Sequence, residues 1–168
     1  LTFIHHHCKL FIETSELHLF HSFTRLMTCM LEGESQSGVS TQWLQCVFLF
    51  SLIWGLGSTL TGDSRKLFDT FYRSILVGEL EEYPKPVKFK LNKHQLFPEK
   101  GTVWDWIYDK KNNGCWVSWL DTSDKTPQIT STKVTELIIQ TDETARQRYF
   151  LRTYLGMKIP ILFIGPTG

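Results

Sequence analysis

The sequence lacks an excess of charge of either sign. Its 168 residues hold 18 lysines and arginines against 17 aspartates and glutamates, which gives a formal net charge of +1. No summed electrostatic field would draw this chain onto nucleic acid or an anionic membrane, so we predict neither as a partner. A composition that is 42% hydrophobic and 21% charged excludes intrinsic disorder and suits one ordinary hydrophobic core.

Paired cysteines and a cleavable signal peptide are absent as well. Cys8, Cys29, Cys46 and Cys115 are scattered, without any Cys-x-x-Cys spacing. This pattern favours four free thiols in a reducing, cytosolic compartment. The chain begins with leucine rather than methionine and ends directly after an apolar run, so we expect a piece of a longer protein.

No hydrophobic run is as long as a membrane span. No charged residue occurs between Glu34 and Asp63, but the apolar part from Trp43 to Leu56 has only about 14 residues, some of them polar. A spanning helix needs roughly 20 apolar residues. We therefore predict a buried helix, and a single-pass membrane protein that uses residues 43–57 is the alternative.

Apolar residues recur at helical spacing elsewhere in the first 78 residues. They predict a helix from about Phe3 to Ile12, a second one after Ser15 as N-cap, and a last one capped by Asp63 that ends near Gly78. These elements predict a small helical bundle. The expected buried faces are Leu17, Phe20, Phe23, Met27, Met30 and Leu31 on the second helix, and Leu67, Phe68, Phe71 and Ile75 on the last.

A different pattern begins at Tyr83–Pro86, because each of its two prolines fixes its own φ and pushes the preceding residue out of the helical region. Aromatic residues alternate from Trp104 to Tyr108, Asn113-Gly114 is a strong turn signal, and residues 115–120 are again strand-like. We therefore predict a Trp-rich β-hairpin. Its rings either pack on a neighbouring part of the protein or form an exposed platform for a peptide, sugar or base.

The pattern changes again from residue 135. The apolar run Leu137–Ile139 precedes Thr141 or Asp142 as a helix N-cap, and Gly156 ends this helix. The uninterrupted apolar run Ile161–Ile164 is typical of a parallel strand that is buried on both faces. The expected apolar stripe of the helix is Phe150, Leu151, Tyr154 and Leu155.

The four residues after this predicted strand, Gly165, Pro166, Thr167 and Gly168, match the first half of a P-loop. A complete P-loop, G-x-x-x-x-G-K-[ST], wraps phosphates with backbone N–H groups and adds a lysine and a hydroxyl for the γ-phosphate and Mg²⁺. Its second half does not occur in this sequence. A plain turn after a strand is the alternative interpretation.

Several separate blocks resemble dynein heavy chains, in the order that this family has them. Residues 135–147, 150–155 and 159–168 are similar to the start of the third AAA+ module of the family. Residues 48–55, 64–69 and 97–105 are similar to the segment that links the second and third modules. The resemblance covers nearly the whole chain and is to axonemal, inner-arm heavy chains.

The resemblance implies an α/β fold, or α+β for this chain taken by itself. Residues 1–82 would be the helical end of the second AAA+ module, a bundle of the small-subdomain type. Residues 83–134 would be a linking insert with the Trp-rich β-hairpin. Residues 135–168 would begin the third module with the first helix and strand of its large P-loop subdomain.

The resemblance also implies a function for the parent protein. It would be an ATP-driven, minus-end-directed microtubule motor of the axoneme of cilia or flagella, in the cytoplasm and cytoskeleton. Its cofactors would be ATP or ADP with Mg²⁺, and its partners microtubules and dynein intermediate and light chains. This segment would contact the neighbouring AAA+ modules of the same chain as a ring scaffold and a partial nucleotide-binding site.

Seven residues carry that partial site in the resemblance. Ile138, Ile139 and Thr141 would line the adenine side, and Gly165, Pro166, Thr167 and Gly168 would supply the first phosphate-facing amides. No catalytic residue of the family falls within these 168 residues. We therefore expect the isolated chain to hold no cofactor and to hydrolyse no ATP.

Two clusters of polar residues offer other chemistry. His5, His6, His7 and Cys8 are consecutive and point in different directions on a helix, and no second cluster has zinc spacing, so we predict no metal site. The aspartates around the hairpin lie at predicted turns and strand ends, where solvated aspartate is common, rather than as an acid–base pair. These aspartates are Asp105, Asp109, Asp121 and Asp124.

A stand-alone, non-enzymatic interaction module is the alternative function. In it the helical bundle would support a Trp-rich binding hairpin. Exposed tryptophan rings would favour such a module, and buried rings would favour the scaffold.

Overall fold

The computed structural model describes residues 1–32, 39–110, 114–122 and 141–165 of the chain. It has mixed helical and strand structure, and its two compact units are Leu1–Trp116 and Val117–Gly168. The predicted domain bounds at residues 82 and 134 stay predictions. The elements are α1 (Thr2–His7), α2 (Glu16–Leu31), α3 (Thr41–Leu56), α4 (Gly62–Val77), β1 (Trp106–Asp109), β2 (Cys115–Ser118) and α5 (Asp142–Gly156).

Helix α1 is shorter than the predicted helix from Phe3 to Ile12. It is followed by Cys8, which has an extended backbone (φ −115°, ψ 148°). Leu10 then forms an antiparallel bridge with Leu60, and the flanking backbone hydrogen bonds are 2.6 and 3.1 Å long. The prediction is wrong beyond α1 because these long-range backbone bonds replace the helical ones that local periodicity favoured.

Helix α2 begins after Ser15 as predicted, and the Ser15 hydroxyl accepts a hydrogen bond from the His18 backbone at 3.3 Å. Its buried face differs from the predicted one, of which only Phe23 is buried while Leu17 and Phe20 are 61% and 49% exposed. The helix carries two overlapping apolar stripes, and packing against α3 selects one of them. The buried residues are Leu19, Phe23, Leu26 and Cys29.

Helix α3 is the buried helix that the uncharged run predicts. It begins after Ser40, whose hydroxyl accepts a hydrogen bond from the Trp43 backbone at 3.1 Å. Nine of its 16 residues are buried, and Cys46, Val47 and Phe50 have no exposed surface. Among the described helices, none is long and apolar enough to cross a membrane.

The backbones of α2 and α3 approach each other at Gly55. A Cβ atom added there would press on the Phe23 Cα and lie 2.6 Å from the Phe23 nitrogen. Only a residue without a side chain fits this contact. The two helices make the most extensive helix–helix contact within the described parts of unit Leu1–Trp116.

Helix α4 begins after Thr61, so the predicted cap Asp63 instead lies in its first turn, where a carboxylate suits the helix dipole. The helix ends at Gly78 as predicted, and Gly78 takes the left-handed conformation (φ 82°) of a helix C-cap. The buried face is again shifted, since Leu67 is 54% exposed. The buried residues are Ser64, Phe68, Tyr72 and Leu76.

Strands β1 and β2 form the predicted hairpin as a two-stranded sheet, and Gly114 has φ 68° at its turn. Asn113 lies outside the described residues. Trp104 was expected in the first strand but lies in a 3-10 turn, Val103–Asp105. Likewise, the 3-10 turn Trp119–Thr122 replaces the predicted continuation of the second strand to residue 120.

An ion pair on α4 fixes the segment that leads into the hairpin. Asp69 Oδ1 accepts hydrogen bonds from Arg73 Nε at 3.1 Å and from the Val103 backbone at 2.7 Å. The guanidinium also donates to the carbonyls of Pro98 at 2.8 Å and Gly101 at 3.4 Å. The Asp69 and Arg73 side chains are only 14% and 24% exposed, so water screens this network weakly.

A side-chain amide on α3 holds the middle of the same segment. Gln45 Nε2 donates to the Lys88 carbonyl at 2.9 Å, and the Lys90 backbone donates to Gln45 Oε1 at 3.2 Å. The Gln45 amide thus donates to one backbone carbonyl and accepts from one backbone N–H, as the backbone of a neighbouring β-strand does. Segment 79–105 therefore keeps its path with little regular secondary structure of its own.

Helix α5 belongs to unit Val117–Gly168 and matches its prediction at both ends, with Thr141 as N-cap and Gly156 as last residue. Ala145 and Phe150 are its buried residues, while Leu155, expected on the apolar stripe, is 61% exposed. The Trp119 ring packs against Phe150 at a centroid distance of 6.2 Å.

The predicted buried strand Ile161–Ile164 is wrong for this structure. The segment has no strand structure, and Leu162, Phe163 and Ile164 are 80%, 51% and 55% exposed. A parallel strand becomes buried only between neighbouring strands and covering helices. The described residues of unit Val117–Gly168 offer it no such sheet.

We expect Gly55→Ala to lower the free energy of unfolding by about 1–3 kcal/mol, because the methyl group forces α2 and α3 apart. Gly62→Ala is the matched control: a Cβ there meets nothing within 4 Å, and alanine favours the helix. Urea unfolding followed by circular dichroism measures both. A Gly55→Ala protein as stable as Gly62→Ala would contradict the close helix contact.

Removing the carboxylate of Asp69 should cost about 2–3 kcal/mol of stability, because the Arg73 guanidinium and the Val103 N–H lose a charged, part-buried acceptor. Glu99→Ala serves as comparison. Its ion pair with Lys93 is 3.2 Å long but largely exposed, so the change should stay within about 0.5 kcal/mol. Equal losses for Asp69→Ala and Glu99→Ala would show that the Asp69 network does not stabilise the fold.

Candidate functional site

The predicted nucleotide-binding residues fall in two groups along the sequence, at residues 138–141 and 165–168, on either side of α5. Thr141 and Gly165 are described, and α5 lies between them in the chain. The other five lie outside the described residues. These are Ile138, Ile139, Pro166, Thr167 and Gly168.

Thr141 has a structural role at the start of α5. Its hydroxyl accepts a hydrogen bond from the Thr144 backbone at 3.3 Å, and the Thr144 hydroxyl accepts one from the Thr141 backbone at 2.8 Å. This reciprocal capping box satisfies two N–H groups at the helix N-terminus. The Thr141 hydroxyl is thereby engaged within the chain, and a place for this residue on the adenine side stays a prediction.

The end of α5 sends the chain towards Gly165 through a tight turn. The Ile159 backbone donates to the Tyr154 carbonyl at 2.9 Å, and Lys158 donates to the Leu155 carbonyl at 3.0 Å. Lys158 takes a left-handed conformation (φ 56°) that glycine more often occupies. Gly165 is exposed, and a Cβ added there would meet no atom of the described residues within 4 Å beyond its chain neighbours.

A group of buried and half-buried polar side chains lies around α3 in unit Leu1–Trp116. Burial raises the pKa of the Cys46 thiol to about 12, although a hydrogen bond with Tyr108 lowers it in part. Burial, and then the proximity of Cys46, raise the pKa of Tyr108 to about 12 as well. Burial and then Cys46 raise the pKa of Tyr72, whose hydroxyl donates to the Leu49 carbonyl at 3.3 Å.

These groups are neutral at physiological pH. The thiolate is the reactive form of cysteine, so Cys46 is not a nucleophile in this environment. None of the four cysteines, all of which lie in the described residues, forms a disulfide, and Cys115 is the exposed one. Within the described stretches of the chain, no three or more His, Cys, Asp or Glu side chains are grouped to hold a metal ion.

Three tryptophans of the hairpin region, Trp104, Trp116 and Trp119, are buried, and Trp106 is half-buried. Trp104 and Trp116 are 2% and 8% exposed. The Trp116 indole N–H donates to the Gln95 carbonyl at 2.9 Å, and its ring lies 4.0 Å from the Phe97 ring between centroids. Of the two possibilities that the sequence leaves open, the structure favours packing over an exposed aromatic platform.

Sequence reasoning missed the side chains that hold segment 79–105 in place. Asp69 and Arg73 are four residues apart, a spacing that indicates an ion pair on one helix face. The spacing does not predict that the Arg73 guanidinium also donates to carbonyls of segment 79–105. Gln45 is one of the polar residues within the apolar run 43–56, and its position in that run predicts no contact with Lys88 or Lys90. No local sequence signal reports contacts to residues more than 20 positions away.

The raised pKa values predict a loss of stability in alkali. Above the ordinary values of 9.0 for cysteine and 10.0 for tyrosine, the unfolded chain releases protons that the folded chain retains up to about 12. Folding then binds protons, so the free energy of unfolding falls as pH rises between these limits and is unaffected below them. Cys46 contributes at most about 1.4 kcal/mol per pH unit.

Urea unfolding across this pH range measures the slope. Cys46→Ala should show a shallower decline than the wild-type chain, whatever its stability at neutral pH. Ser51→Ala is the control, because Ser51 is equally buried on α3 but does not titrate. An unchanged slope in Cys46→Ala would mean that the thiol titrates alike in both states.

Comparison with known proteins identifies the family. Residues 1–121 match the family model described as the dynein heavy chain AAA lid domain. This range includes α1 to α4, segment 79–105 and the hairpin.

Individual relatives extend the similarity further along the chain. Dynein axonemal heavy chain 3 of Homo sapiens is 42% identical over 177 residues, which cover 96% of this chain and 4% of the relative. Dynein axonemal heavy chain 12 of Rattus norvegicus is 38% identical over 127 residues, or 74% of this chain and 4% of the relative. Dynein axonemal heavy chain 1 of Homo sapiens is 26% identical over 197 residues, or 100% of this chain and 4% of the relative.

The chain thus spans about 4% of the length of the relatives it matches. The family model covers well over half of it, and the described residues of that range fold as mixed helices and a small sheet. The chain belongs to the dynein heavy chain family, of which it carries the AAA lid domain, and its relatives are axonemal heavy chains.

Proposed function

We propose that this chain is the part of an axonemal dynein heavy chain that joins the second AAA+ module of the ring to the third. The observation that carries the proposal is the order of features along the chain. A match to the AAA lid domain over residues 1–121 is followed by a capped helix and by Gly165-Pro-Thr-Gly168, the first half of a P-loop. In this proposal residues 1–82 close one module and residues 135–168 begin the next.

The lid part has the properties of a scaffold. Helix α3 is buried along its length, α2 meets it at Gly55, and segment 79–105 is tied to α3 and α4 by Gln45, Asp69 and Arg73. Such a unit transmits displacement because close-packed interiors deform little. A rigid connector is what coupling between two nucleotide-binding modules requires.

The proposed nucleotide role is limited to the end of the chain. Gly165 and the residues after it would offer backbone N–H groups to phosphate, and Ile138, Ile139 and Thr141 would face adenine. The exposure of Gly165 fits this role, since no atom of the described residues beyond its chain neighbours lies within 4 Å of the position that a Cβ would take. In the parent protein, ATP with Mg²⁺ would supply the transferable γ-phosphate and ADP would be the product, and the metal ligand and catalytic acid for this reaction lie outside this donor set.

The motor activity is proposed for the whole parent protein rather than for this chain. In that proposal the parent hydrolyses ATP to move along microtubules in cilia or flagella, together with intermediate and light chains. The support is the similarity to axonemal heavy chains over 96–100% of this chain. The alternative of an independent Trp-rich binding module gains no support from rings that are as buried as Trp104 and Trp116.

The purified 168-residue chain should release no phosphate from ATP above background, because its sequence has no P-loop lysine or Mg²⁺-binding hydroxyl after Gly168. A chain extended through the complete third module should bind a fluorescent ATP analogue. In that extended chain Gly165→Val should weaken binding about tenfold or more, because a branched side chain obstructs the phosphate.

Gly156→Val in the extended chain is the matched control, since Gly156 is also open to solvent and terminates α5. It should leave nucleotide affinity unchanged. Phosphate release by the 168-residue chain, or equal affinities for the Gly165 and Gly156 variants, would refute the proposed nucleotide role.

A further inference from the structure

A surface cavity of about 470 Å³ lies between α1, α4 and the chain that follows α4. This size falls within the range of cavities that hold small ligands or inserted side chains. It belongs entirely to unit Leu1–Trp116 and plays no part in the proposed nucleotide site. Its lining consists of Thr2, Phe3, His6, His7, Phe71, Glu79, Leu80, Glu81, Glu82 and Tyr83.

Three aromatic rings form the apolar part of the cavity. Phe3 on α1 stacks on Phe71 of α4, with 3.7 Å between ring centroids and 3° between planes. Tyr83 meets Phe71 edge to face at 5.5 Å. Phe3 and Phe71 thus cover one face of each other, and all three residues are only partly buried. Aromatic faces attract cations through the quadrupole of the ring.

Apart from the imidazoles of His6 and His7, the ionisable side chains of the lining are acidic or phenolic. Glu79, Glu81 and Glu82 contribute three carboxylates, and no lysine or arginine lines the cavity. The basic residue next in sequence, Lys85, is directed elsewhere: its ammonium donates to the Leu91 carbonyl at 3.4 Å and lies 5.0 Å from the Phe89 ring. All three glutamates are exposed and therefore available to an incoming cation.

Aromatic rings and carboxylates together select for a planar, weakly hydrated cation. A guanidinium group stacks on a ring face and binds carboxylates through its forked N–H donors, whereas an ammonium group is compact and strongly hydrated. An anionic group would be repelled by the carboxylates, and a neutral group would gain no attraction between opposite charges. The chemistry of the cavity is therefore that of an arginine site.

We propose that this cavity receives an arginine side chain from a basic segment of a partner protein. The carboxylates of Glu79, Glu81 and Glu82 pair with the guanidinium, and the rings of Phe71 and Tyr83 pack against it. Exposed ion pairs are individually weak, so a single arginine binds with a dissociation constant on the order of millimolar. The cavity thus acts as one anchor point within a larger contact, where affinity comes from several such points.

The test is a titration of the isotope-labelled 168-residue chain, followed by amide chemical shifts in NMR spectra. The probe is an arginine tripeptide capped at both ends, and the comparison is the same tripeptide with citrulline, which keeps the shape but not the charge. We expect saturable shifts at Phe3, Phe71 and Tyr83 for arginine alone. Higher ionic strength should weaken them.

A charge variant and a matched control complete the experiment. Glu81→Gln/Glu82→Gln should raise the dissociation constant about fivefold or more, because two carboxylates are lost. Glu13→Gln/Glu99→Gln removes the same charge at exposed positions outside the cavity and should leave the constant unchanged. The thermal midpoints of both variants verify that each is folded.

Several outcomes would overturn the proposal. They are equal shifts with arginine and citrulline, shifts that avoid the cavity, and equal weakening by the two double variants. Binding of spermidine without binding of the arginine tripeptide would also overturn it, because the site would then serve small polyamines. None of these results bears on nucleotide binding near Gly165, which is measured separately.

Discussion

The burial of a helix without a single charge is the constraint on which the lid depends. Helix α3 presents apolar surface on nearly every side, and such a helix is stable in water only when other elements cover it. Burying each large apolar side chain contributes roughly 1.5–3 kcal/mol. Helix α2 covers one side of it, and the hairpin and the turn Val103–Asp105 contact it as well.

Packing around α3 also explains why polar groups in this region are neutral or paired. The Cys46 thiol and the Tyr72 and Tyr108 hydroxyls hold their protons because charge is costly where water is excluded. Asp69 stays acceptable in a part-buried place because it faces a guanidinium and a backbone N–H. The exclusion of water thus keeps the Cys46 thiol unreactive and strengthens the ion pair between Asp69 and Arg73.

The sequence predicts where helices begin and end better than it predicts which side of each helix is buried. Caps at Ser15, Thr141 and Gly78 act through neighbouring residues, so their local signals are confirmed. The buried stripes of α2 and α4 were misassigned because each helix carries a wide apolar face, and only tertiary packing selects the part of that face that is buried. Segment Ile161–Ile164 has the composition of a buried strand, yet burial also needs neighbours that local composition does not supply.

The candidate nucleotide site was predictable only through family resemblance. Four residues of a Gly-rich turn identify no ligand by themselves, and of the seven site residues the structure describes Thr141 and Gly165. The aromatic and acidic cavity at α1 could not be predicted, because Phe3, Phe71 and Glu81 are far apart in sequence and carry no common motif. Such a constellation arises from the fold alone.

The conformation of segment 79–105 is determined largely by side chains outside the segment. Its backbone is positioned by Gln45, Asp69 and Arg73, which belong to helices that precede it in the chain. Transplanting this segment into another helical scaffold would therefore transfer its residues but not its path. A graft that preserves the path would also have to include those three side chains, although they lie outside the segment in the sequence.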